Sequence, residues 1–133
     1  MLLLDAVDSL RSALLRLEEL TRLEPNWDGD GNAPPSAEVV GVAGRFLLRA
    51  AERFGEAAGE AIRPYAVAPL PGGGVHLEWR GPQADLEVQV GPGEQLGYLF
   101  VDRRGPERQF EEDDQASPEA LLDRLAVVLT TRS

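Results

Sequence analysis

Apolar residues along this chain follow three successive regimes. Between residues 3 and 23 the spacing is helical: Leu3, Val7, Leu10, Leu14 and Leu17 recur every three or four positions along one stripe. Leu4, Leu15 and Leu20 widen that stripe beyond a single face. A helix so apolar either lies deep in its own fold or pairs with a second copy of itself. The intramolecular core is the first reading. A homodimer seam through Leu3, Val7, Leu10, Leu14 and Leu17 is the second. Pro25 closes the segment.

A second helical stretch opens at Ser36, a favourable N-cap, after Pro34 and Pro35 hold the chain extended. Val39, Ala43, Phe46, Leu47, Ala50 and Phe54 share one helical face, while Arg45, Arg49, Glu52 and Arg53 take the other. Gly55 and Gly59 weaken continuation, which predicts an end near Phe54 or shortly after.

From Pro64 the period becomes two. Tyr65, Val67 and Pro69 predict a short strand, placed at an edge by its prolines. Val75, Leu77 and Trp79 alternate with His76, Glu78 and Arg80, and Leu86, Val88 and Val90 alternate with Asp85, Glu87 and Gln89. These are two half-buried strands, separated by a Gly81-Pro82 turn. After Gly91-Pro92-Gly93, residues Leu96 to Val101 predict another strand whose two faces are both apolar, as expected of a central or doubly covered strand. Short turns favour an antiparallel meander. Residues 103–115 read as a polar link, and Ser117-Pro118 opens a third helix with Leu121, Leu125, Val128 and Leu129 inward. The expected architecture is a single α+β domain over residues 1–133. It has two N-terminal helices, a three- to four-stranded antiparallel meander, and one C-terminal helix packed on the sheet.

Composition narrows the class. With 43% apolar and 27% charged residues in 133, the chain is globular, and with no cysteine it has neither disulfides nor thiolate metal sites. The opening Met1-Leu2-Leu3-Leu4 is broken by Asp5 and Asp8, which argues against a leader or a membrane span and makes the cytoplasm the default compartment. Every basic residue is arginine and Ile62 is the sole isoleucine, a bias that points to GC-rich bacterial coding. A net charge of −10 argues against nucleic acid, whose phosphates need clustered cations, and favours a partner with a basic surface.

Candidate chemistry is confined to two places. In Asn26-Trp27-Asp28-Gly29-Asp30-Gly31-Asn32, the residues Asn26, Asp28 and Asp30 fall at positions one, three and five of a calcium-type loop, with Gly31 at six. The twelfth position is Ala37 instead of Glu, and Pro34-Pro35 intrude. A structural turn is therefore the first reading, with its glycines at positive φ and Trp27 packed onto the helices as a plug. Recognition of a partner through Trp27, Asp28 and Asp30 comes second, and a metal on Asn26, Asp28 and Asp30 third. The other place is the strand pair bearing His76, Glu78 and Glu87. His76 beside a carboxylate could act as a base, yet these strands carry no nucleophile and no second histidine to complete a zinc site. Glu78 and Glu87 could pair as glycosidase carboxylates, but a solvated cross-strand charge pattern is the plainer account.

Two segments resemble signatures seen together in short uncharacterised bacterial proteins. Asn26-Trp27-Asp28-Gly29, Gly31, Pro34-Pro35 and Ser36 are similar to an NWDGxG…PxS pattern, and Gly73-Gly74-Val75-His76-Leu77-Glu78-Trp79 to GGxxLEW. The resemblance spans residues 26–101 and implies no catalytic residues, because that group has no established activity. It does imply that the two motifs belong together, with Trp27 and Trp79 in one core.

The expected function is a non-enzymatic protein-binding or accessory module without cofactor, such as the acidic neutralising partner of a bacterial toxin or defence pair. Its expected contact residues are Trp27, Asp28, Asp30, His76, Glu78 and Glu87. The alternatives are a divalent-metal protein or metal-dependent enzyme using the 26–32 loop, and a self-assembling protein pairing through the first helix.

Overall fold

The computed structural model describes the backbone of residues 2–129, and side chains from residue 8 onward apart from Glu56. Two helices, α1 (Leu2–Leu20) and α2 (Ala37–Ala58), lead through a 3-10 turn at Gly59–Ile62 into five strands. These are β1 (Ala66–Leu70), β2 (Gly74–Arg80), β3 (Ala84–Gly91), β4 (Gln95–Asp102) and β5 (Gln109–Asp113), followed by α3 (Pro118–Leu129). The strands pair antiparallel in the order β1-β2-β3-β4-β5, a simple meander. The α+β class and the C-terminal helix match the sequence reading, with one strand more than the three or four expected. Among the described residues, no helix is long and apolar enough to cross a membrane.

Capping follows the local chemistry. The Ser36 hydroxyl accepts from the Val39 amide at 3.2 Å, and the Ser117 hydroxyl accepts from the Ala120 amide at 3.1 Å. Helix α2 continues to Ala58, one turn beyond Phe54, and stops where Gly59 turns to φ 58°.

Strand alternation builds one core. Val75, Leu77 and Trp79 of β2, Leu86, Val88 and Val90 of β3, and Leu96, Tyr98 and Phe100 of β4 are buried beneath the helices. Each buried Leu or Val contributes about 1.5–3 kcal/mol. Trp79 lies edge-on to Phe46 of α2 with ring centroids 6.0 Å apart, and its indole N–H donates to the Ile62 carbonyl at 2.8 Å. Helices α2 and α3 are further tied by Arg49 to Glu119 at 2.7 Å and Arg53 to Asp123 at 2.9 Å.

Two expectations need correction. Leu10 and Leu17 are 0% and 1% exposed in the protomer's own core, so those two stripe positions are not free to line a seam between copies. Leu14 is partly buried against that core, while Leu3 and Val7 lie outside the described side chains. Strand β5 was hidden in the segment read as a polar link, because all five of its residues are exposed and it has no buried alternation to detect. Strand β4 is internal to the sheet, in line with the first of the two readings of its double-sided pattern; helices cover its Tyr98 and Phe100 side, and Leu99 and Val101 on the other side are half-buried.

The tightest backbone approach joins the β2–β3 turn to α3. A Cβ added to Gly81 would lie 2.3 Å from the Val128 carbonyl oxygen, too close for any rotamer to relieve. Gly81→Ala is therefore expected to destabilise the fold by about 2 kcal/mol. Gly105→Ala, whose Cβ would meet nothing nearer than 4.0 Å, should stay within about 0.5 kcal/mol of wild type. Urea denaturation of the two variants checks this; equal midpoints would contradict the close approach.

Candidate functional site

The polar positions that alternate with the core all emerge on the opposite side of the sheet, which no described helix covers. Register sets their neighbours. His76 lies opposite Gln89, Glu78 opposite Glu87, and Arg80 opposite Asp85 on β3. Glu87 and Asp85 in turn face Leu99 and Val101 of β4, and Val101 faces Phe110 of β5. Ala66 and Ala68 of β1 flank Glu78 and His76 on the other side.

The cluster is preorganised. His76 Nε2 lies 3.2 Å from Glu78 Oε1, and these side chains are only 18% and 14% exposed. Arg80 donates through Nε to Glu78 Oε2 and stacks on the Tyr65 ring, its guanidinium carbon 3.8 Å from the centroid. Burial pulls Glu78 upward in pKa, but hydrogen bonds from Arg80 and His76 outweigh it and hold the carboxyl below its ordinary value. Ligand atoms of His76, Glu78 and Glu87 all lie within 4.8 Å of one another, the one such group of three among the described residues. The sequence identifies these three residues and their strands, but the partner opposite His76 follows only from the register.

The charges on this side are unevenly compensated. Asp85 is gripped at both oxygens by Arg103, at 2.8 and 3.1 Å, and Arg103 also donates to the Gly81 carbonyl. Those hydrogen bonds from Arg103 hold the Asp85 carboxyl below the usual range against the opposing effect of burial. On the covered side, Glu111 is lowered by hydrogen bonds from Arg124 and then from the Tyr98 hydroxyl, which fasten β5 to α3 and β4. Glu87, Glu112 and Asp114, by contrast, have no arginine partner among the described residues. Beside them lie half-buried Leu99 and Val101, and Phe110, which is 65% exposed. A shallow depression joins Gln89 and Leu99 to Glu112, Asp113 and Asp114.

Phe110 was missed as a site residue because nothing in its local sequence marks a strand. The signal available was the double-sided apolar pattern of β4, which requires a neighbour for Leu99 and Val101.

The 26–32 loop is a separate place. Asn26 takes φ 65°, and Gly29 and Gly31 both take φ 80°. Asn26 Oδ1 accepts from the Gly31 amide, Asp28 Oδ1 from the Asp30 amide at 3.0 Å, and Asp28 Oδ2 from the Asn32 side-chain amide at 2.7 Å. The Asp28 pKa is lowered, chiefly by the bond from the Asp30 backbone. The Asn26 and Asp28 oxygens that a cation would need are thus engaged by the loop itself, while Asp30 is exposed. Asn32 Oδ1 accepts from the Gly72 amide at 3.1 Å, which ties the 26–32 loop to the β1–β2 turn. The two motifs do not meet through their tryptophans. Trp27 is half-buried and outside the core cluster, and its indole N–H closes its own loop on the Ala33 carbonyl at 3.1 Å. The expected plug, and the shared core with Trp79, are both replaced by this local closure.

No protein-family model, no curated protein and no solved structure matches the chain.

Asp85 binds its proton more weakly in the folded chain than in the unfolded one, where its value is near 3.8. The stability it contributes is complete above that value and is lost as pH falls through the lowered native one. Asp85→Asn should therefore flatten the fall of Tm between about pH 4 and pH 2. Calorimetry across that window reads the effect; a variant with the wild-type slope would show the Arg103 pair to be without weight.

Proposed function

We propose that this protein is a non-enzymatic binding module that engages a basic protein partner across the uncovered side of its sheet. The observation that carries the reading is the patch of Leu99, Val101 and Phe110 set among Glu87, Glu112 and Asp114, carboxylates with no cation among the described residues. An apolar centre with a charged rim is the anatomy of a transient protein interface. The sign of the rim, in a chain of net charge −10, selects a partner rich in Lys or Arg around an apolar centre. His76, Glu78 and Glu87 form the polar flank of that surface. The 26–32 loop, closed on itself, serves to hold the β1–β2 turn. An acidic module of this kind suits the neutralising member of a bacterial toxin or defence pair.

The test is co-expression with the product of the adjacent gene, followed by titration of the purified pair. Phe110→Ala should weaken binding about tenfold or more while leaving the melting temperature nearly unchanged, since the ring is 65% exposed. Raising salt from about 0.05 to 0.5 M should slow association. A complex indifferent to both Phe110 and salt would overturn the reading.

A further inference from the structure

The register places Glu78 directly opposite Glu87 in the middle of the sheet. Like charges in that relation repel, and the sheet gains nothing from them. Arg80 compensates Glu78, but Glu87 has no cation among the described residues, and neither carboxylate is fully solvated. The remaining neighbour is not a cation donor of fixed charge but an imidazole, His76. Nitrogen and two carboxylate oxygens, within 4.8 Å of one another on adjacent strands, have the composition of a three-ligand site for a borderline divalent cation.

We infer that His76, Glu78 and Glu87 form a binding site for a zinc-type divalent metal ion on the uncovered face of the sheet. With Arg80 held on Glu78, the uncompensated charge is that of Glu87, and a divalent ion between the two carboxylates would replace their cross-strand repulsion by attraction. Ligands of tetrahedral zinc at about 2.0–2.1 Å from the ion stand about 3.3 Å apart. The 3.2 Å between His76 Nε2 and Glu78 Oε1 already has that span. Glu87 completes the set by a side-chain rotation from within 4.8 Å. Arg80 holds Glu78 Oε2, which leaves Oε1 as the ligand atom. The fourth position points away from the sheet, into solvent or toward whatever docks there. Calcium and magnesium, which prefer all-oxygen shells, fit this donor set poorly.

The site does not depend on the partner-binding reading, and its test uses the isolated chain. Untagged protein titrated with Zn²⁺ in a calorimeter should bind one equivalent, whereas Ca²⁺ gives no saturable heat. His76→Gln and Glu87→Gln should each weaken Zn²⁺ binding by more than about tenfold. Because His76 is the sole histidine of the chain, its ring nitrogens can be followed in the wild type without any substitution. One equivalent of Zn²⁺ should shift them by NMR. Absence of saturable Zn²⁺ binding, or binding that leaves the His76 ring resonances unmoved, would overturn the inference. So would equal affinity in folded His76→Gln protein.

Discussion

The fold turns on the indole of Trp79. A ring of that size must be buried to contribute, yet its N–H must find an acceptor once water is excluded. Both conditions are met at one point: the ring meets Phe46 edge-on, and the N–H reaches the carbonyl of Ile62. Helix α2, the 3-10 turn that ends it, and β2 are thereby fixed relative to one another. Strand alternation then propagates the choice. With Trp79 inward, Leu77 and Val75 are inward, and His76, Glu78 and Arg80 must face out. Pairing carries the same polarity to β3 and β4, so a single satisfied indole determines which residues the uncovered face displays.

That face is a compromise. Folding alone would be better served by Thr or Gln than by two glutamates in direct opposition, and by a polar residue in place of Phe110. The chain instead holds Glu78 rigidly, between a stacked arginine and a histidine, and leaves Phe110 in solvent. Local conflicts of this kind, in an otherwise consistent sequence, mark where a surface answers to something other than its own stability. The proposed zinc site draws on β2 and β3 and the proposed docking surface is centred on β4 and β5, with Glu87 common to both.

Much of this was legible in the residues. Period-two alternation identified β2 and β3, an apolar run after the Gly91-Pro92-Gly93 turn identified β4, and Ser36 and Ser117 marked the starts of α2 and α3, because each signal is local and its physics is local. His76, Glu78 and Glu87 could be named for the same reason, but their convergence required register, which depends on the turn at Gly81-Pro82. Strand β5 lacked any signal, since its order comes from β4, from Tyr98 and from Arg124 rather than from its own composition. Trp27 misled for the opposite reason. A tryptophan ordinarily signals burial, but here the loop's glycines allow a closure in which its N–H is satisfied six residues away, without reaching the core.

The two sheet edges complete the argument about partners. Strand β1 is blunted by Pro69, which offers no N–H, and by Arg16, which donates to the Val67 carbonyl at 3.4 Å. Strand β5 has no such cover, yet its sequence is Gln-Phe-Glu-Glu-Asp. In the register that pairs all five residues of two antiparallel copies, Glu111 would face Glu111, while Glu112 would face Phe110 and Asp113 would face Gln109. Three carboxylates in five residues still bring like charge to such a pairing, whereas a basic extended segment would meet no such repulsion. The acidity of this strand, which suits the proposed basic partner, thus also disfavours pairing of the edge with a second copy.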